Sequence, residues 1–166
     1  MAKPYKYATL ICAFLSILAL LGIVIGAVKS NPLITIILLL PTVIYEVYRT
    51  QGKSTRWASL VLLIVFIAEI VFIVANISFD LVEFLSVTEK RVGGYNVPLG
   101  DIKAVGPTIM AILAIVLFVR TRGRYTKWLA VIIFITSFAI LYTLDPTIFS
   151  RLLHIGIEKG LERIQF

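Results

Sequence analysis

Residues Trp57 to Ile77 read WASLVLLIVFIAEIVFIVANI. This stretch is long enough to cross a bilayer as one helix. Arg56 closes one end and Asp80 lies beyond the other. One ionisable residue, Glu69, interrupts the run. At 1.5 Å per residue it falls roughly 18 Å from Trp57, close to the expected membrane centre. A carboxylate there costs at least ~2.5 kcal/mol on insertion scales, which makes it a candidate functional group.

The same reading extends to four further apolar blocks. The spans are expected at about 7–28, 32–48, 57–77, 104–119 and 128–144, with a polar loop at 78–103. The chain has 166 residues, of which 60% are hydrophobic and 15% charged. Its mean hydropathy is +1.00. A soluble domain carries roughly 25% charged residues. The expected fold is therefore an all-α polytopic membrane bundle of about five transmembrane helices. An amphipathic interfacial helix at 145–166 follows, with Phe149, Leu152, Leu153, Ile157, Leu161 and Ile164 at helical spacing.

Local signals refine the spans. Gly22 and Gly26 form a GxxxG pair on one face of the first, extended by Ser16 and Ala19, and favour close helix packing. Pro32 suits the first turn of the second span, and Pro41 inside it predicts a kink. Glu46 reads as a solvated or snorkelled charge at the end of that span, within reach of Arg49 or Lys53. Gly93-Gly94 marks a small hairpin in the 78–103 loop. Gly106-Pro107 fits the start of the fourth span, which is short.

Charge sets the orientation. The net charge is +7. With a cytoplasmic N-terminus, nine of the 16 basic residues fall in inside segments: Lys3, Lys6, Arg49, Lys53, Arg56, Arg120, Arg122, Arg124 and Lys127. The outside segments hold seven basic and seven acidic residues. This obeys the positive-inside rule at every short loop except the one carrying Lys29. The expected location is a cell membrane, with the C-terminus outside and a prokaryotic source favoured. The basic loops are accounted for by topology and by lipid headgroups, so no nucleic-acid partner is expected.

Most chemistry lacks its parts. Cys12 is the only cysteine and His154 the only histidine, so no intramolecular disulfide and no protein-only zinc site is expected. Gly52-Lys53-Ser54-Thr55 resembles the end of a phosphate-binding loop, but the glycine required five residues earlier is Val47. No cofactor is expected. Polar residues at a depth comparable to Glu69 are Ser16, Thr42, Thr136 and Ser137.

Three functions remain. The leading expectation is a non-catalytic accessory subunit of a larger energy-transducing or transport complex. It would dock through the small-residue face of the first span and the amphipathic tail. The second is an independent proton- or cation-linked carrier or channel, as a homo-oligomer, with Glu69 in the pathway. The third is a membrane enzyme on lipid using Asp80, Glu83 and Asp101, whose spacing carries no specific signature.

Overall fold

The structure, a computed structural model, describes residues 7–75, 89–92, 95–98, 102–144, 146 and 150. Within them lie five helices: α1 (Ala8–Lys29), α2 (Pro32–Arg49), α3 (Lys53–Val74), α4 (Ile102–Arg120) and α5 (Arg124–Leu144). Four of them, α1, α2, α3 and α5, are long and apolar enough to cross a membrane. The apolar part of α4, Ala104–Arg120, is shorter. Between α3 and α4, strands β1 (Glu89–Val92) and β2 (Tyr95–Pro98) pair antiparallel, with Val92 opposite Tyr95. The amphipathic tail expected at 145–166 lies outside the described residues apart from Pro146 and Ser150, which are helical.

Helix ends depart from the apolar blocks in a consistent way. α3 starts at Lys53, four residues before Trp57, and α5 at Arg124, four before Trp128. Hydropathy marks the part of a helix that meets lipid, whereas backbone hydrogen bonding continues into the polar interface. Gly52 precedes α3 with φ 111°, a left-handed conformation that glycine adopts without strain. At the other end of the bundle, Ser30 (φ 49°) reverses the chain between α1 and α2. Asn31 Oδ1 then accepts from the Leu33 N–H, capping α2 just before Pro32.

The main contacts arrange the helices as a ring, α1–α2–α3–α4–α5 and back to α1, with α2 also touching α5 across the middle. α2 and α5 are accordingly the most enclosed, with 39% of their spanning windows buried against 22% for α3. Ile36, Leu39 and Val43 of α2 meet Leu62 and Phe66 of α3, Met110 and Leu117 of α4, and Ile133 and Ile140 of α5. The opposite faces of the helices are apolar and exposed, as in Leu10, Phe14 and Ile17 of α1 and Ile64, Ile67 and Val71 of α3. That is the surface expected to meet acyl chains, since lipid is as apolar as the core. Pro41 sits on such an outward face, and α2 runs through it without interruption.

The small-residue face of α1 is used inside the chain. Gly22 and Gly26 are buried against α2, and Thr35 Oγ1 donates to the Gly22 carbonyl at 2.9 Å. A Cβ on Gly26 would overlap Thr35 Oγ1 and meet the Asn31 carbonyl at 3.3 Å. Ser16 turns the other way, donating to the Cys12 carbonyl (2.7 Å) and accepting from the Trp128 indole N–H of α5 (3.0 Å). Gly26→Ala should therefore cost about 1–3 kcal/mol by overpacking, outweighing the gain in helix propensity. Thr35→Ala should recover part of that loss. Denaturant unfolding in mild detergent measures both, and a Gly26→Ala protein as stable as the parent contradicts this packing.

Candidate functional site

Among the described residues two acidic side chains, Glu46 and Glu69, are buried among apolar helices, and they occupy different places. Along α3 the inward positions are Thr55, Ser59, Leu62, Phe66 and Glu69, which recur every three to four residues on one face. Glu69 is therefore carried to the inside by the same periodicity that buries Leu62 and Phe66. It is 1% exposed.

Glu69 sits in the α3–α4 seam. A Cβ on Gly106 would overlap Glu69 Oε2 and come within 2.7 Å of its Cδ. The carboxyl group thus lies directly on the α4 backbone, in space that any residue other than glycine would fill. Pro107 follows inside α4 and is buried. Having no N–H, it leaves the Lys103 carbonyl, one turn earlier, without a helical donor. Lys103 and Gly106 are three residues apart and share a helix face. α4 begins at Ile102, so Gly106-Pro107 stands one turn inside the helix and not at its first residue.

Glu69 stands in the last two turns of α3. α3 ends at Val74, five residues beyond it. The apolar span Thr55–Val74 has its midpoint near residue 64–65, so Glu69 lies about 7 Å from the middle, toward the hairpin end.

Glu46 differs most from expectation. It is fully buried, at 0% exposure, and is not a solvated end charge. The cause is the central position of α2, whose inward face runs Thr35, Ile36, Leu39, Thr42, Val43 and Glu46. Glu46 Oε1 accepts from Thr50 Oγ1 at 2.8 Å, and Thr50 Oγ1 accepts from Ser59 Oγ at 3.0 Å. This short hydroxyl relay ties the end of α2 to α3. Glu46 Oε2 and the neighbouring Thr42 Oγ1 have no hydrogen-bond partner among the described residues. Ser59 and Glu69 are ten residues apart on α3, so the two carboxylates stand about 15 Å apart along the bundle.

The other polar residues at depth are spent locally. Thr136 Oγ1 donates to the Ile132 carbonyl and Ser137 Oγ to the Ile133 carbonyl, each at 2.7 Å and each one turn back on α5.

The end carrying Glu46 is also the basic end. The connections α2–α3 and α4–α5 meet there beside the start of α1, where Thr9 Oγ1 and the Tyr125 hydroxyl lie 2.9 Å apart. Arg49, Arg56, Arg120, Arg122, Arg124 and Lys127 all belong to this end, as does the backbone of Lys53. Between the two connections opens a cleft of about 310 Å³ lined by Arg49, Gln51, Thr121, Arg122, Tyr125 and Thr126, with Gly123. α2, a helix, precedes Gly52, where a phosphate-binding loop has a strand.

Among the described residues no group of three or more His, Cys, Asp or Glu could hold a metal ion. Cys12 is buried and unbridged. Asp80, Glu83, Asp101 and His154 lie outside the described residues. No protein-family model, curated protein or solved structure matches the chain.

The Glu69–Gly106 contact yields a coupling test. Gly106→Ala and Glu69→Ala should each destabilise the bundle. The double variant should be more stable than the sum of the two losses implies, by about 1 kcal/mol or more. Additive losses in denaturant unfolding contradict the seat described here.

Proposed function

We propose that this chain is a small integral membrane protein that handles protons or small cations, as a carrier or channel, with Glu69 as the exchanging group. The observation that carries this reading is a carboxyl group buried in an apolar span and seated on a glycine. A carboxyl takes up and releases one charge, and an intramembrane acid marks an ion or proton path by default. Pro107 frees one backbone carbonyl of α4, that of Lys103, within a turn of Gly106. Carbonyls released from helix bonding are among the groups that membrane carriers turn toward a coupling ion. Glu46, Thr50 and Ser59 supply a second acid with attached hydroxyls about 15 Å nearer the basic end. By the charge distribution that end is the cytoplasmic one, so the two acids would serve opposite halves of the membrane.

The accessory-subunit reading loses one of its supports, because the small-residue face of α1 is occupied by α2. Its other support, the amphipathic tail, lies outside the described residues. The lipid-enzyme reading rested on carboxylates that also lie there.

Flux into liposomes carrying a pH- or cation-sensitive dye decides the matter. The parent protein should give flux above protein-free vesicles, and Glu69→Gln should bring it to background. Glu69→Gln with parental flux, or a parent without flux, sinks the proposal. A chain that is silent alone and leaves its native membrane in fixed stoichiometry with other proteins favours the accessory role.

A further inference from the structure

The cleft at the basic end has a use independent of Glu69. Arg49 is held in place before any ligand arrives. Its Nη1 donates to the Tyr45 hydroxyl at 3.2 Å, and its guanidinium carbon stands 4.8 Å from the centre of the Tyr125 ring. A guanidinium fixed on an aromatic face has little further freedom to lose on binding. Arg122 brings a second guanidinium to the same cleft. The first helical bond of α5 runs from the Lys127 N–H to the Gly123 carbonyl. The N–H groups of Arg124, Tyr125 and Thr126 therefore precede it, at the positive end of the helix dipole.

Thr121 supplies the observation that points to a ligand. It lines the cleft, is 6% exposed, and its buried Oγ1 has no hydrogen-bond partner among the described residues. A buried hydroxyl left without a partner costs about 1–3 kcal/mol, so it is retained where something answers it. The acid closest in sequence to Arg49 is Glu46, whose Oε1 is engaged by Thr50. It offsets one arginine and leaves the cleft positive.

We propose that this cleft binds the phosphate of a phosphate ester. Arg49 and Arg122 would clamp it, the Thr121 hydroxyl would donate to it, and the start of α5 would face it. Guanidinium groups suit this because their paired N–H donors match two phosphate oxygens. The ester is either the headgroup of an anionic phospholipid or a soluble phosphate compound.

The test uses the full chain in nanodiscs of phosphatidylcholine. One arm adds phosphatidic acid and counts retained lipid by native mass spectrometry. The other titrates inorganic phosphate and follows the melting temperature. Binding in the first arm alone identifies a lipid headgroup, and binding in the second a soluble ligand. Arg122→Gln and Thr121→Val should each weaken whichever binding is seen by about tenfold. Lys127→Gln, whose ammonium lies over the Phe118 ring and outside the cleft, should change it by less than about twofold. Thr121→Val should leave the unliganded melting temperature unchanged or raised, because it removes an unanswered hydroxyl. The proposal fails if Arg122→Gln and Lys127→Gln weaken binding equally, which is diffuse surface attraction. It fails also if Thr121→Val binds like the parent, or if neither arm shows binding.

Discussion

A bilayer offers a buried polar group no water, so every such group in this chain must be answered by protein, lipid or a bound species. That constraint organises the bundle. The hydroxyls of α5 bond back to their own helix, Thr35 reaches a carbonyl of α1, and Ser16 joins α1 to α5. Among the described residues two buried carboxylates remain that local back-bonding cannot absorb, besides the hydroxyls of Thr42 and Thr121. One is placed by a hydroxyl relay and the other by a missing side chain on the facing helix.

The arrangement of helices explains why those two acids are buried where they are. In a ring with one contact across its middle, α2 and α5 have neighbours on most sides. An acid near the end of α2 is enclosed even though it stands one turn from a loop. Glu69 belongs to α3, a helix on the rim of that ring, and is buried only because its face is turned to α4. Gly106 makes that approach possible: the close contact that small residues permit between membrane helices serves here to admit a carboxyl group.

Much of this was legible in the residues, and the rest was hidden for identifiable reasons. The apolar blocks gave five helices and their order, because hydropathy over some 20 residues is a strong signal. They missed the first turns of α3 and α5, since Lys53 to Arg56 and Arg124 to Lys127 are polar yet helical. The burial of Glu46 was not visible from its position near a span end. The signal that exposes it is spacing: Thr35, Thr42, Glu46 and Thr50 are seven, four and four residues apart, a polar stripe along the face that also carries Leu39 and Val43. The pairing of Glu69 with Gly106 joins residues 37 apart in the chain. No local pattern encodes such a contact, and the glycine read naturally as a helix start.

The account stands on Glu69 lying against Gly106 between α3 and α4. Cysteine cross-linking in native membranes tests this directly, using Glu69→Cys with Gly106→Cys in a Cys12→Ser background. A disulfide needs Cβ atoms roughly 3.5–4.5 Å apart, and a Cβ on Gly106 would stand 3.4 Å from Glu69 Cγ, one bond from the Glu69 Cβ. Rapid cross-linking within one chain under mild oxidation is the expected result. Failure to cross-link, in a protein whose facing positions on α4 and α5 do cross-link, would contradict the placement of the buried acid and the functions drawn from it.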